Sequence, residues 1–265
     1  MIVACHYPFF LFPFLLPLKS HIEKSYLIAT KTDKYKKASC INVSNPSISM
    51  RYYKDGNQVY QIFLTNSHNT AVKQNDKTNF ENVKQFFGLK EEEIVAKWSN
   101  VDIITDDKLP YIGELKDNLY IATGLNTWGM TNGILSAKIL SDTIKGIDNP
   151  YQELFKIYRS NRYQWKSLLP NVITSTIAFV GSKFQKKKWY SNNLMFKKVN
   201  GKTIAIYKDE HKKEHIVYTT CPHFGCSLIF NEEEKTWDCP CHSSRFNLDG
   251  KCIKGPSLYD ISYKK

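Results

Sequence analysis

Two short groups of cysteine and histidine residues near the C-terminal end of the sequence have the chemistry to hold a redox metal centre. The first box reads Cys-Pro-His-Phe-Gly-Cys, and Cys221 and His223 in it follow a C-x-H spacing. The second box reads Cys-Pro-Cys-His, and Cys239 and His242 in it follow a C-x-x-H spacing. Each box offers one thiolate and one imidazole, and two cysteines with two histidines are a ligand set of [2Fe-2S] clusters. We predict that these four side chains bind such a cluster.

Each box also has a second cysteine. Cys226 in the first box and Cys241 in the second occupy matching outer positions. Closing the two loops over a shared cluster would bring these thiols into the distance range of a disulfide, so we predict a Cys226–Cys241 bridge. The other cysteines, Cys5, Cys40 and Cys252, are scattered singly and are expected to be buried small side chains or inert thiols.

A structural zinc site is the competing interpretation, because two cysteines and two histidines are also a zinc-finger ligand set. A finger of that type places its cysteine pair before its histidine pair, and a helix carries the histidines. Here cysteine and histidine alternate along the chain, and residues typical of strands and turns flank each box. The order of the ligands favours the iron-sulfur cluster.

The segment from Asn193 to Ser262 resembles a Rieske domain of the kind that contains a disulfide. The resemblance implies that Cys221 and Cys239 are the sulfur ligands of one iron, and that His223 and His242 bind the other. Histidine ligation of one iron raises the reduction potential above that of an all-cysteine cluster.

The same resemblance implies roles for residues around the cluster. Ser244 would donate a hydrogen bond toward a bridging sulfide, and Phe224 with Gly255 and Pro256 would cover the cluster. High-potential members of the family carry a tyrosine where this chain has Phe246, and the tyrosine hydroxyl hydrogen-bonds a ligand sulfur. Phe246 has no hydroxyl, so we expect a lower potential.

Length and composition indicate a globular protein of one or two domains. The chain has 265 residues, of which 42% are hydrophobic and 14% aromatic, enough for ordinary cores. The formal net charge of +12 could attract nucleic acid or an anionic membrane surface, but the basic runs lack a recognisable nucleic-acid-binding fold. We expect no nucleic-acid partner, and an acidic redox protein is another use for this charge.

The apolar opening of the sequence, Met1 to Leu18, could be mistaken for a signal peptide or a membrane anchor. It has no basic start, and prolines at positions 8, 13 and 17 interrupt any helix before the roughly 20 residues that a span requires. We interpret Met1 to Cys5 as a buried strand followed by a packed loop. We expect a cytoplasmic protein, with membrane association as the alternative.

The first 160 residues are predicted to mix strands and helices. Segments rich in β-branched or aromatic residues predict strands at Tyr26–Thr30, Ser47–Tyr53, Val59–Leu64, Val101–Thr105 and Leu119–Thr123. Apolar periodicity predicts helices at Phe80–Phe87, Glu91–Trp98 and Gly133–Ile144. Thr131 or Asn132 could cap the start of the last helix, and Gly146 could end it.

Turn signals organise the rest of the chain. A connecting region with an apolar run at Val172–Val180 leads to a hairpin around Asn200-Gly201, then to a turn at Asp209–Lys213 and the first box. Asp249-Gly250 makes a last tight turn. We interpret His211 and His215 as solvent-side hairpin residues without a metal role.

A second constellation lies between Asp106 and Gly133, where a strand ends at a glycine, a glycine-rich turn follows and a helix begins. Backbone N–H groups can then approach a ligand at the positive end of the helix, although the glycines could also serve only to make a tight turn. The stretch resembles the closing FAD motif of the glycine oxidase and D-amino-acid oxidase-like flavoproteins, and the resemblance covers about Met1 to Arg162. It implies these flavin-side positions: Gly124, Gly129, Met130, Thr131 and Gly133.

The sequence departs from that family at its start, because no G-x-G-x-x-G turn for the ADP half of FAD occurs in it. The chain therefore looks like the C-terminal portion of a longer flavoprotein, in which a flavin domain or companion chain supplies the nucleotide-binding half. We expect an α+β first domain at residues 1–162, a remnant of a flavin oxidoreductase, then a linker at 163–190 and a small all-β Rieske domain at 191–265.

The function that these expectations favour is electron transfer, in which the cluster takes electrons from the flavin of an oxidoreductase acting on an amine or amino acid. The catalytic residues are unknown, and electron transfer is what this chain alone would carry.

The alternative is the Rieske subunit of a quinol-oxidising cytochrome bc or b6f-type complex, which the disulfide pair favours and the first domain opposes. A Rieske oxygenase would need a site of two histidines and one carboxylate, which the sequence does not suggest. A truncated relic whose first half folds poorly is the non-functional alternative.

Overall fold

The structure, a computed structural model, describes residues 2–4, 19–45, 48–70, 75–159 and 193–263, with scattered residues between 170 and 181. Residues up to 159 form the N-terminal part, and residues 193–263 form the C-terminal part. The elements of the N-terminal part are β1 (Ile2–Ala4), β2 (Ser20–Thr32), β3 (Ser39–Ile41), β4 (Ser49–Asp55), β5 (Gln58–Asn69), α1 (Asp76–Phe87), β6 (Ile94–Thr105), β7 (Tyr111–Lys116), β8 (Leu119–Thr123), α2 (Gly129–Lys145) and α3 (Gln152–Phe155).

A five-stranded antiparallel sheet with strand order β3-β4-β5-β2-β6 dominates the N-terminal part. The interior strand β2, between β5 and β6, is buried along most of its length, and Tyr26 and Ile28 on β2 form a core with Phe80 and Val83 of α1. Asn75 caps α1 by accepting hydrogen bonds from two backbone N–H groups, and Gly88 ends it in the left-handed conformation. The five predicted strands and the predicted first helix are confirmed, and most of them are longer than predicted.

The predicted helix at Glu91–Trp98 is wrong. Glu91–Glu93 form a single turn of 3-10 helix, and β6 begins at Ile94. The strand pairs with β2 from Ile94 to Thr105, so a long ladder of backbone hydrogen bonds overrides the local preference of the glutamates for a helix.

A smaller sheet with strand order β1-β8-β7 places the glycine-rich turn. β1 pairs with β8 in parallel, β7 pairs with β8 in antiparallel, and the chain leaves β8 at Thr123 to enter α2. The helix begins at Gly129, one turn earlier than predicted, and Gly146 ends it as predicted. Neither suggested cap is used, because Trp128 occupies the N-cap position, where it makes no side-chain cap, and Asn132 donates its side-chain amide to the carbonyl of Leu125.

All regular elements of the described C-terminal part are strands, in two sheets. The elements are β9 (Leu194–Val199), β10 (Lys202–Lys208), β11 (Glu214–Tyr218), β12 (Ile229–Asn231), β13 (Thr236–Asp238), β14 (Arg245–Phe246) and β15 (Cys252–Lys254). The sheet orders are β11-β10-β9 and β12-β13-β14-β15. The hairpin around Asn200-Gly201 is confirmed, with positive φ at both residues. The first box follows β11, and the second box connects β13 to β14.

The expectation for His215 is wrong, and one of the two alternatives for Cys40 is excluded. His215 is buried, 6% exposed, rather than on the solvent side of its hairpin. Its Nδ1 lies 2.7 Å from a carboxylate oxygen of Asp249 and its Nε2 lies 3.2 Å from one of Asp209, so two carboxylates compensate the burial of the ring. Cys40 is exposed on the edge strand β3, so it is not a buried small side chain, and the alternative of an inert thiol stays a prediction.

The contact of Asp209 with His215 predicts an acid-sensitive contribution to stability. The hydrogen bond from His215 lowers the pKa of Asp209 below its ordinary value. A lowered carboxyl pKa contributes stability that is present above about pH 4, the unfolded value, and is lost as the pH falls through the folded value. Asp209→Asn is therefore expected to lower the free energy of unfolding at pH 7, and the difference from the unmodified protein should shrink as the pH approaches 3.

Urea unfolding of both proteins across this pH range measures that difference. Asp33→Asn, which changes an exposed aspartate, serves as the control and should leave the pH profile unchanged. A constant difference between the Asp209→Asn variant and the unmodified protein from pH 7 to pH 3 would contradict the prediction.

Several expectations fall outside the described residues. They are the loop expected after Cys5 and most of the connecting region, including most of the linker at 163–190. Within the described part of the chain, no helix is both long and apolar enough to cross a bilayer.

Candidate iron-sulfur centre

The two boxes form two loops, and an equivalent pair of backbone hydrogen bonds closes each of them. In the first loop the N–H of Cys221 donates to the carbonyl of Cys226 at 2.8 Å, and the N–H of Gly225 donates to the carbonyl of Cys221 at 2.9 Å. In the second loop the N–H of Cys239 donates to the carbonyl of Ser244 at 2.8 Å, and the N–H of Ser243 donates to the carbonyl of Cys239 at 2.9 Å. The two loops therefore present their first cysteines in equivalent positions.

A disulfide joins the loops. Cys226 and Cys241 are bonded, with their Cα atoms 6.6 Å apart, which confirms the predicted bridge. The sulfur atoms of Cys226, Cys239 and Cys241 lie within 4.8 Å of one another. Because two of the three are in the disulfide, they cannot act as thiolate ligands, and this sulfur group is not a zinc site of its own.

The two thiols that were predicted as ligands meet in the core of the C-terminal part. Cys221 and Cys239 are buried, and their thiols are hydrogen-bonded to each other. This shared hydrogen bond lowers the pKa of Cys221 to about 7 and raises the pKa of Cys239 above its ordinary range. One thiol of the pair therefore gives up its proton readily, which suits a site that binds metal through thiolates.

The two histidines also meet. The ring centroids of His223 and His242 are 4.9 Å apart. Burial lowers the pKa of each histidine to about 4, so both rings are neutral at physiological pH, which is the form that binds a metal. The structure thus brings together two sulfur donors and two neutral imidazoles, and this donor set fits a [2Fe-2S] cluster with one iron on each pair.

Several residues that were expected around the cluster contact the predicted donors or one another. The hydroxyl of Ser244, fully buried, accepts a hydrogen bond from the N–H of Ser257 at 3.0 Å and hydrogen-bonds the Cys221 thiol. Phe224 contacts the His223 ring at a centroid distance of 4.2 Å. The peptide bond between Gly255 and Pro256 is cis and begins the loop that leads to Ser257. Ser244 is thereby held with its hydroxyl toward a predicted ligand sulfur.

Phe246 belongs to the same core as both cysteine thiols and is 0% exposed. Phe246→Tyr is expected to add a hydroxyl that donates to a ligand sulfur, which stabilises the reduced, more negative cluster and raises the midpoint potential. A net hydrogen bond of about 1 kcal/mol corresponds to a rise on the order of 40 mV for one electron. Potentiometric titration followed by EPR measures the midpoint. Phe196→Tyr, on β9, is the matched control and should not change it, and a potential that falls or stays constant in Phe246→Tyr would contradict the prediction.

Comparison with known proteins agrees with this geometry. The Rieske [2Fe-2S] domain family matches residues 183–263, and the FAD dependent oxidoreductase family matches residues 15–143. Residues 15–143 are thus similar to FAD dependent oxidoreductases, and residues 183–263 are similar to Rieske [2Fe-2S] domains. The expected architecture, with an α+β first part and a small all-β Rieske domain, is therefore confirmed. A Rieske domain implies a [2Fe-2S] cluster, and the first segment suggests FAD.

Individual relatives cover different portions of the chain. YhfW of Bacillus subtilis, named for a Rieske 2Fe-2S iron-sulfur centre, is 32% identical over 276 aligned residues, which cover 97% of this chain and 53% of YhfW. The chain thus spans about half the length of that relative. The cytochrome b6-f complex iron-sulfur subunit of Microcystis aeruginosa is 32% identical over 59 residues, 22% of this chain and 33% of that protein. Glycine oxidase of Geobacillus kaustophilus is similar in structure, with a TM-score of 0.43 and 18% identity over 54% of this chain and 40% of that one.

The predicted flavin-side residues lie on the turn after β8 and on the first turn of α2. Gly124 has a φ of +69°, and a Cβ there would lie 2.3 Å from the side chain of Thr105, so the turn itself requires this glycine. Gly129 and Gly133 differ from Gly124 in this respect, because a Cβ added at either position would meet nothing within 4 Å. Met130 and Thr131 are exposed beside them. This open first turn, without a side-chain cap, fits a polar ring edge of a flavin.

A cleft of about 220 Å³ lies between the oxidoreductase segment and the Rieske domain. In the cleft wall, burial raises the pKa of Asp102 and lowers the pKa of Lys254. One wall carries Gly124 and another carries His242. Its full lining consists of Ile22, Val101, Asp102, Ile103, Thr123, Gly124, Leu125, His242, Lys254 and Gly255.

A buried network of charged residues lies beside the cleft, and it was not predicted from the sequence. Arg245 donates to Asp238 at 2.8 and 2.9 Å and to Glu234 at 2.8 Å, and it also donates to the Ser99 hydroxyl of β6 at 2.7 Å. Lys24 of β2 lies 3.1 Å from Asp238 on the Rieske side. Burial alone would raise the pKa of Asp238, but Lys24 and Arg245 outweigh it and lower that pKa. The network holds the Rieske domain against the five-stranded sheet.

A lysine in a strand was the one local signal of this network. Lys24 lies in the mostly buried strand β2 and is 8% exposed, although an isolated buried lysine is rare. Its second partner is Asp76 of α1, at 2.9 Å. A third contact crosses the same interface, from Lys254 to the side chain of Asn100 at 2.7 Å.

Proposed function

We propose that this chain carries electrons between a flavin, held near the first turn of α2, and an outside acceptor, through a cluster held by Cys221, His223, Cys239 and His242. The observation that carries the proposal is the cleft, because Gly124 of the flavin-side turn and His242 lie in its walls. A flavin would supply electrons in pairs, and a [2Fe-2S] cluster would pass them on singly.

The residues of the chain support this by orientation and by shielding. The Arg245 network fixes the face of the Rieske domain that meets the sheet, so His242 keeps its place in the cleft wall. Lys24 adds a second fixed point on β2, an interior strand of that sheet. Asp102 and Lys254 in the cleft wall are partly removed from solvent, as the directions of their pKa shifts indicate.

The finer assignments follow from the oxidoreductase resemblance. An amine or amino acid is the substrate class that we propose for the whole enzyme, with the nucleotide-binding half contributed by a flavin domain or companion chain. The acceptor is a redox protein, for which the positive net charge of +12 favours an acidic partner. We propose a cytoplasmic location, which is compatible with the disulfide because Cys226 is buried at 1% exposure and shielded from reductants.

A second candidate function is that of the iron-sulfur subunit in a quinol-oxidising complex. The similarity of 59 residues to the cytochrome b6-f subunit favours it, as does the disulfide between the loops. The two functions predict different electron donors. Anaerobic addition of reduced flavin or of a quinol to the cluster-loaded protein, with the cluster followed by absorbance, identifies which donor reduces it faster.

Binding of FAD tests the flavin half of the first proposal. We expect added FAD to bind the cluster-loaded protein, with quenching of flavin fluorescence, and Gly133→Leu to weaken binding by about tenfold or more, because the side chain fills the space that a ring edge needs. Gly133→Leu is tolerated by the chain itself, since a Cβ there meets nothing within 4 Å. Ala137→Leu, at an exposed position one turn further along α2, is the control and should bind FAD normally.

Photoreduction of the bound flavin under anaerobic conditions then tests the transfer. The expected result is growth of the reduced-cluster EPR signal while the flavin absorbance returns. A flavin that stays reduced beside an oxidised cluster would overturn the proposed direction of transfer. Absence of FAD binding with an intact cluster would restrict the chain to electron transfer from a separate donor.

A further inference from the structure

The cleft between the oxidoreductase segment and the Rieske domain has walls suited to a small, partly apolar ligand. Four of its lining residues are aliphatic, namely Ile22, Val101, Ile103 and Leu125. Its volume of about 220 Å³ lies below the roughly 300–1,000 Å³ of pockets that hold drug-sized molecules. A ligand of few atoms, with an apolar portion, therefore fits the cleft.

Asp102 also lines this cleft, and its carboxylate has no partner within the protein. Among the residues that the structure describes, none hydrogen-bonds this carboxylate or forms an ion pair with it. The buried Asp107 differs, because it pairs with Arg159 at 2.7 Å. Burial raises the pKa of Asp102, so the removal of its charge from water is not fully offset. A carboxylate left open in a cleft is suited to bind a cation from solution.

The charges around Asp102 favour a cationic ligand over an anionic one. The carboxylate of Glu23, at the paired position of β2, repels that of Asp102. The ammonium of Lys254 attracts Asp102, but it already donates to the Asn100 side chain at 2.7 Å and to the Val101 carbonyl at 3.3 Å. The strongest interaction that the cleft still offers is therefore a cation on Asp102.

We propose that the cleft binds a small alkyl amine as its ammonium cation, with the ammonium on Asp102 and the alkyl chain against the four aliphatic side chains. Gly124 of the flavin-side turn lies in the same walls. The inference rests on the proposed function for the oxidation of the amine, and it narrows the substrate class from an amine or amino acid to an amine. Binding itself requires neither FAD nor electron transfer. A ligand carboxylate would lie near Asp102 and Glu23, and their repulsion would weaken binding.

Calorimetric titration of the cluster-loaded full chain, without flavin, tests the site with three related probes. The probes are n-butylamine, norvaline, which is the same amine with a carboxylate added, and pentanoate, in which a carboxylate replaces the ammonium. We expect n-butylamine to bind saturably at neutral pH, norvaline to bind about tenfold more weakly or worse, and pentanoate not to bind. Norvaline that binds as tightly as n-butylamine would overturn the proposal.

Substitution of Asp102 locates the ammonium. Asp102→Asn should weaken n-butylamine binding about tenfold or more, because a charge-assisted hydrogen bond is lost, and Asp102→Glu should bind better than Asp102→Asn. Asp117→Asn, in the exposed turn between β7 and β8, is the matched control and should bind normally. Asp102→Asn should also not lower the free energy of unfolding, because its carboxylate has no partner to lose. Equal affinity in Asp102→Asn and the unmodified protein would overturn the proposal.

Pulsed EPR with deuterated n-butylamine tests where the amine lies. Because His242 lines the same cleft, we expect a deuterium coupling in the HYSCORE spectrum of the dithionite-reduced cluster. Saturable binding without this coupling would place the amine elsewhere and overturn the proposal. A coupling that Asp102→Asn abolishes, together with a flavin that fails to reduce the cluster, would keep the amine site and remove the proposed electron transfer.

Discussion

Replacing Cys239 by serine is expected to abolish the [2Fe-2S] cluster. The thiol of Cys239 is 3% exposed and hydrogen-bonded to that of Cys221, so no other described sulfur can take its place except those of the neighbouring disulfide. A serine hydroxyl does not ionise near neutral pH and is a poor substitute for a thiolate ligand of iron. Iron and sulfide should fall to background in Cys239→Ser, and the visible absorbance and the reduced-state EPR signal should disappear.

Cys252→Ser is the matched control for this result. Cys252 is a partly buried free thiol in the same domain, and its Sγ lies 3.3 Å from the carbonyl of Ser257 rather than in the donor set. It should retain the cluster in full. A full complement of iron in Cys239→Ser, or loss of the cluster in Cys252→Ser, would show that the ligands are assigned wrongly. Zinc in place of iron in the unmodified protein would revive the zinc interpretation.

Replacing Arg245 by methionine is expected to lower the free energy of unfolding by about 3–5 kcal/mol, the cost of leaving buried charges without their partner. The guanidinium contacts Asp238 and Glu234, whose side chains are 19% and 9% exposed, so both carboxylates would lose their shared cation. The contacts with Ser99 across the interface would be lost as well. Chemical unfolding of the cluster-loaded protein, followed by circular dichroism and cluster absorbance, measures the change.

Two further variants make that result interpretable. Arg51→Met, at an exposed position on β4, should change the free energy of unfolding by less than about 0.5 kcal/mol. Lys24→Met removes the other cation of the network from the opposite side of the interface, far in sequence from the boxes, and should destabilise in the same direction. A cost below about 1 kcal/mol for Arg245→Met would mean that the network contributes little, as is common for exposed ion pairs.

The parts of the site that could be predicted from the sequence are local. The C-x-H and C-x-x-H spacings place each thiol and imidazole within one loop, and turn residues such as Asn200-Gly201 have conformational preferences of their own. The helix that ends at Gly146 and the strands of the five-stranded sheet also follow from patterns of neighbouring residues. Local patterns failed at Glu91–Trp98, because the ladder to β2 decided the conformation there.

The residue types and their spacing were sufficient to predict the chemistry of the site, a pair of thiols and a pair of imidazoles suited to [2Fe-2S] binding. The reason is that each ligand is a single side chain, whose type the sequence gives directly. Only the tertiary structure decided which residues line the cleft, why His215 is buried, and how Arg245 and Lys24 join the two parts. Lys24 and Asp238 are 214 positions apart, and such a contact depends on the packing of whole sheets, which no local pattern encodes.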